Sequence, residues 1–156
     1  MIKQIDNIHT LHVKTFNELT VDELYDLLQL RSDVFVVEQN CVYQDLDKDD
    51  RHALHLWITN DDNRIIAMAR VCAAGTHMHE VSIGRVIAVE RRKGYGTMIV
   101  RCAVDVALNY FNTSVIDIEA QSYIRLLYEK IGFSATSQVF MLDGILHIKM
   151  RYNKKL

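Results

Sequence analysis

The sequence predicts a mixed α/β fold, of α+β type, organised around one dominant sheet. Runs of alternating apolar and polar residues recur along the chain, and apolar stripes at helical spacing interrupt them three times. Gly, Asn and Asp mark the boundaries, since the sequence contains no proline to shape a turn. The elements run strand, helix, strand meander, helix, strand, helix, hairpin, an order that calls for helices packed on a sheet. With 156 residues and no repeat, linker or low-complexity segment, the chain is expected to form a single domain spanning 1–156.

Residues 11–16 read as the first strand. Thr20-Val21-Asp22-Glu23 is a capping box, whose hydroxyl and carboxylate satisfy amides in a first helical turn. The helix it opens carries Leu24, Leu27, Leu28, Val34 and Phe35 on one face, with Arg31 on the same stripe. A guanidinium on an apolar face needs a partner, so Arg31 is either paired internally or lines a site. Leu54, Leu56 and Ile58 alternate with His55, Trp57 and Thr59 as a strand. Asp61-Asp62-Asn63 then turns the chain into a strand over 64–72, and Val81, Ile83, Arg85, Ile87 and Val89 alternate in the next. Gly94-Tyr95-Gly96 opens a helix with Ile99, Cys102, Ala103, Val106, Ala107 and Tyr110 on one face. Residues 115–121 form a strand, and a short helix carries Ile124, Leu127, Tyr128 and Ile131. Strands over 139–142 and 145–150 flank Asp143-Gly144, a strong hairpin signal.

Composition narrows the function. Apolar residues are 49% and charged residues 24% of a chain with net charge −2, so no basic field points to nucleic acid or to anionic lipid. No stretch approaches the roughly 20 apolar residues that span a bilayer, and the first residues lack a signal-peptide core. Cys41, Cys72 and Cys102 are odd in number and widely spaced. They are read as small buried apolar residues of a cytoplasmic protein rather than a disulfide framework, zinc site or catalytic set. The pairs His52/His55 and His77/His79 lack a partner cluster in the sequence, so no metal site is expected.

Two motifs carry chemistry. Arg91-Arg92-Lys93-Gly94-Tyr95-Gly96 lies between a strand and a helix. Glycines let the amides converge, the helix N-terminus adds partial positive charge, and basic side chains add charge pairing, so the turn suits a pyrophosphate. It is neither a Walker loop nor a dinucleotide fingerprint. The second motif, Tyr128-Glu129-Lys130-Ile131-Gly132-Phe133, ends the short helix.

The first motif is similar to the Arg/Gln-x-x-Gly-x-Gly/Ala loop of the GNAT acetyltransferases, and the second resembles their YxxxGF motif. The likeness extends to the ElaA-like branch of that superfamily. It rests on Arg31-Ser32-Asp33-Val34-Phe35-Val36-Val37-Glu38-Gln39, on Tyr43-Gln44-Asp45-Leu46-Asp47 with Asp50, and on Ile83-Gly84-Arg85-Val86. Ala120-Gln121 and Asp143-Gly144-Ile145 with His147 continue it, so the resemblance covers about residues 20–150.

The resemblance implies a GNAT fold, with a single mixed, mostly antiparallel sheet flanked by helices. It also implies an N-acetyltransferase that moves an acetyl group from acetyl-CoA to an amine of a small molecule or peptide, without a metal. A GNAT-fold module that binds acyl-CoA without turnover is the alternative. Cofactor contacts would come from Ile87, Ala88 and Val89 on the pantetheine arm, from Arg91, Arg92, Lys93, Gly94, Tyr95, Gly96 and Thr97 at the phosphates, and from Gln121 and Tyr128. Tyr128 would protonate the leaving thiolate. Glu38 is the first candidate base, because an apolar run before it invites burial and a raised pKa, with Arg31 on the same face; Glu119 is the second. Arg31, Arg85 and His147 are candidates for the acceptor side. The acidic stretch Asp45, Asp47, Asp49 and Asp50 reads as a solvated loop, with attraction of a cationic substrate as the alternative. A homodimer through an exposed strand or the C-terminal hairpin is the oligomer considered.

Overall fold

A computed structural model describes residues 1–155. Strand β1 (Ile2–Gln4) precedes β2 (Thr10–Thr15), and α1 (Val21–Arg31) follows a short 3-10 turn. The Thr20 hydroxyl accepts from the Glu23 amide at 3.1 Å and the Glu23 carboxylate accepts from the Thr20 amide at 2.9 Å, the capping box in full. The chain does not leave α1 as a regular helix but widens into a π-helical segment, Ser32–Glu38. The meander β3 (Ala53–Thr59), β4 (Ile65–Cys72), β5 (Val81–Ala88) comes next, then α2 (Tyr95–Tyr110) and β6 (Val115–Gln121). Helix α3 (Arg125–Ile131) leads into β7 (Phe133–Ala135), β8 (Phe140–Leu142) and β9 (Ile145–Asn153).

These strands form one sheet in the order β1-β2-β3-β4-β5-β6-β9-β7, with β8 also paired to β9. All neighbours are antiparallel except β5 and β6. Helix α2 covers one face: Ile99, Val100, Ala103 and Ala107 pack on Leu54, Leu56, Ile58 and Val71, joined by Ile116, Ile118, Tyr128 and Phe133. Helix α1 and the π-helical segment cover the other, where Leu27 and Phe35 meet Trp57, Met68 and Ile87. Both faces of β3 are therefore buried. Tyr110 does not join the α2 face: it lies at the last turn, beyond the sheet, and is exposed.

Two irregularities in β5 shape the molecule. Ile87 pairs with Met68 but Gly84 with Arg70, so Arg85 and Val86 together oppose Ala69. Arg85 takes φ +54° at this bulge. A bulge shifts the strand's phase by one residue. The simple alternation expected from Val81 to Val89 is corrected accordingly, since Val81 and Ile83 face the α2 core while Ile87 faces the α1 side. Pairing of β5 with β6 is also brief, Val81 with Ile116 and Ser82 with Asp117, after which the strands diverge. The cleft between them holds the candidate site.

Candidate active site

Two cavities occupy the splay. One, about 420 Å³, is lined by the end of β5, residues 91, 92 and 94–97 and the face of α3. The other, about 450 Å³, lies between the π-helical segment, the bulge of β5, β6 and the β8–β9 hairpin. Gln39, Val86, Gln121, Ile124 and Tyr128 line both, so the two spaces meet at these residues.

At the first cavity Gly94 caps α2 with φ +78°, a conformation that costs glycine little, and Arg92 takes φ +62° just before it. The Gly94 carbonyl accepts the first helical bond, from the Met98 amide. The amides of residues 95–97 therefore have no helical partner and lie beside the cavity. Gly96 sits where α2 meets α3; a Cβ there would be 3.2 Å from Leu127 Cδ1. Arg91 and Arg92 line this cavity, but Lys93 is not among its lining residues. Ile87, Ala88 and Val89 all border it. The Val89 amide is already bonded to the Ile66 carbonyl at 2.9 Å. Strand amides alternate in direction, so those of Val86 and Ala88 point toward the cleft.

Tyr128 is 4% exposed and packs edge-on to Phe133 at 5.6 Å. Burial, with a smaller contribution from Tyr123, pushes its phenol pKa well above the ordinary value. It is therefore protonated at neutral pH.

The surroundings expected of Glu38 are corrected. Its side chain is 52% exposed, it borders the first cavity, and its Oε1 accepts from Arg91 Nη2 at 2.7 Å. In a regular helix, seven residues close about two turns and would place Glu38 on the face of Arg31. The π-helical segment spans five residues per bond, with the Gln39 amide donating to the Val34 carbonyl, so that phase is lost. Glu119, from the face of β6 opposite Ile116 and Ile118, borders the second cavity with Tyr128.

Arg31 is corrected as an acceptor-side residue. It is 1% exposed and bonds Asp50 through Nη1 at 2.8 Å and Asp45 through Nε at 3.0 Å. The acidic stretch is corrected with it, for three of its four carboxylates belong to an internal network. Arg70 donates to Asp47 and Asp50, and Arg85 Nε lies 2.7 Å from Asp45 Oδ1, a close ion pair outside hydrogen-bond direction. Burial alone would raise the pKa of Asp47 and Asp50. The guanidinium hydrogen bonds and charges outweigh it and hold both below the usual carboxylate value. Tyr43 hydroxyl donates to Asp45 at 2.7 Å, and the Arg85 guanidinium lies 5.3 Å from the Tyr43 ring centre. Arg85 and His147 both border the second cavity.

The histidines also need correction at one point. His77 does gain neighbours: its Nδ1 is 2.9 Å from Asp49, and Asp47, Asp49 and His77 bring ligand atoms within 4.8 Å of one another. Asp47, however, is already held by Arg70 and Arg85. His55 is buried with Nε2 on the Asp50 carbonyl at 2.8 Å, a packing role.

Sequence reasoning missed Gln39, Cys41 and Tyr43 as second-cavity walls, and Tyr123 and Leu127 as walls of the first. Gln39 and Tyr43 lay within the quoted family segments, and Gln39 Oε1 accepts from Gln121 Nε2 at 3.0 Å across the cleft.

A splayed mixed sheet, a glycine-opened helix at the splay and two joined cavities are the features expected of the GNAT acyltransferase class. The family described as Acetyltransferase (GNAT) domain matches residues 17–154. Protein ElaA of Escherichia coli is 38% identical over 141 residues, covering 86% of this chain and 90% of ElaA. A UPF0039 protein of Schizosaccharomyces pombe is also 38% identical over 141 residues, covering 88% and 93%. The crystal structure of an acyl-CoA N-acyltransferase from Pseudomonas aeruginosa superposes with a TM-score of 0.84 at 35% identity, over 91% of this chain and 97% of that one. That of E. coli ElaA gives 0.84 at 32% identity, over 98% and 100%. The chain belongs to the GNAT acetyltransferase family, in its ElaA-like branch. No helix among the described residues is long and apolar enough to cross a membrane.

Proposed function

We propose that the protein transfers an acetyl group from acetyl-CoA to the amine of a small molecule or peptide. The observation that carries this reading is the buried Tyr128 at the junction of two cavities, one bordered by a pyrophosphate-type turn and the other by a free carboxylate. Acetyl-CoA would lie in the first cavity, its phosphates on the amides of residues 95–97 with Arg91 and Arg92, and its pantetheine arm on the cleft-facing amides of Val86 and Ala88.

The acceptor amine would enter from the second cavity. Its nitrogen attacks the thioester carbonyl, the new C–N bond forms, and the C–S bond breaks. Glu119 takes the amine's proton, directly or through water, and Tyr128 gives its proton to the thiolate before recovering one from solvent. Glu119 is preferred to Glu38 as base because it borders the acceptor cavity, whereas Glu38 is paired to Arg91 on the cofactor side. Free Cys41, Cys72 and Cys102 fit a reducing cytoplasm.

The test is release of free CoA from acetyl-CoA across a panel of primary amines. Amine-dependent release is expected. Tight CoA binding with no release for any amine would favour a binding module without turnover.

A further inference from the structure

The second cavity has an unusual balance of charge. Among the described residues Arg85 is the only lysine or arginine that borders it, and its charge is paired with those of Asp45 and Asp47. Besides the pairing to Asp45, Arg85 Nη2 lies 3.2 Å from Asp47 and donates to the Asp45 carbonyl at 2.9 Å. Among the described residues, no unpaired lysine or arginine at this cavity therefore awaits a carboxylate or phosphate on an acceptor.

The carboxylates differ. Asp47 is neutralised by Arg70 and Arg85. Glu119 and Asp143 make no side-chain ion pair or hydrogen bond among the described residues, although both border the cavity. Lys149 stands opposite Glu119 in the β6–β9 register, yet its Nζ lies over the Phe140 ring at 6.0 Å and forms no ion pair with Glu119. The nearby histidines each engage Nδ1, His77 with Asp49 and His147 with the Ile145 carbonyl. The cavity walls also carry Phe35, Ile83, Ile118, Leu142 and Ile145, surfaces that suit methylene groups.

Register sets the length. Glu119 is level with Lys149, and the Asp143-Gly144 turn immediately precedes Ile145. Four strand steps separate those levels, about 13 Å at roughly 3.3 Å per residue.

Resting on the acyl-transfer reading above, we propose that the acceptor is an extended alkyl polyamine without a carboxylate. One primary amine would sit at the Glu119 end and a further positive charge at the Asp143 end. The span suits a linear triamine better than a short diamine.

The experiment measures CoA release with spermidine, butylamine and lysine as acceptors. Spermidine should exceed butylamine in kcat/KM by about fivefold, the worth of the one further cation contact at the exposed Asp143 carboxylate. Asp143→Asn keeps a residue tolerant of the φ of +50° at this position, and keeps the carbonyl that accepts from Cys41 Sγ. It should lower the spermidine value about fivefold and leave butylamine within about twofold. Release that is equal for butylamine and spermidine, or greatest for lysine, would overturn this acceptor class and leave acyl transfer standing. An Asp143→Asn enzyme that treats spermidine like the parent would overturn it too. No release with any of the three, while CoA binds, would overturn acyl transfer itself and this inference with it.

Discussion

Arg91 Nη2 donates to Glu38 Oε1 at 2.7 Å, tying the end of the π-helical segment to the turn that would hold the cofactor's pyrophosphate. The same guanidinium cannot pair fully with Glu38 and with a phosphate.

Glu38→Gln should therefore strengthen CoA binding, lowering Kd by about two- to fivefold, the range of an exposed ion pair. Turnover at saturating acetyl-CoA should hold within about twofold. Titration calorimetry with CoA, beside steady-state rates, measures both. A sharp fall in kcat with unchanged Kd would return Glu38 to the role of base.

Tyr128→Phe keeps the ring against Phe133 and removes only the hydroxyl. Acetyl-CoA affinity should be kept while kcat falls about ten- to a thousandfold. Glu119→Gln should lower kcat similarly, with part of the loss regained as rising pH supplies more neutral amine. The two pH–rate profiles separate the roles: Glu119→Gln gains with pH, whereas Tyr128→Phe has no such rescue.

Gly94→Val places a β-branched side chain at φ +78°, although no atom lies within 4 Å of its Cβ. The cost is conformational, on the order of 1–2 kcal/mol, and falls on the turn rather than the core. A folded variant with CoA affinity lowered at least about tenfold is expected, from displaced amides at the helix start. Circular dichroism and calorimetry on the same sample check it.

Asp50 joins two buried arginines, accepting from Arg31 Nη1 at 2.8 Å and Arg70 Nη1 at 2.9 Å. Asp50→Asn leaves these cations short of a partner and should cost about 3 kcal/mol in urea unfolding. The folded pKa values of Asp47 and Asp50 lie below the unfolded value of 3.8. Their stabilisation is thus complete above about pH 4 and is lost as pH falls through the folded values. His55 acts earlier: burial lowers its pKa from 6.5, so its contribution, complete above that value, declines as pH falls below it. Unfolding midpoints from about pH 7.5 to about pH 3 should decline gently at first and then steeply, and Asp50→Asn should flatten the steep part.

Much of this molecule was legible in its residues. Capping at Thr20 and Glu23, the Asp143-Gly144 hairpin and the glycine-opened helix rest on interactions within a few positions of one another, and the alternation over Val115–Gln121 is itself a local pattern, so neighbouring residues were enough. The turn over residues 91–96 and Tyr128 were visible for the same reason. What the tertiary structure alone decided depends on phase and partners far away in sequence. The π-helical segment after Arg31 turns Glu38 to the surface, and the bulge at Arg85 moves Ile87 to the opposite face. Three arginines from α1, β4 and β5 convert an acidic loop into a buried network, because a buried guanidinium gains most by taking carboxylates with it. No periodicity records which charges will meet. That pairing leaves Arg85 engaged and Glu119 free, and so sets the charge of the second cavity.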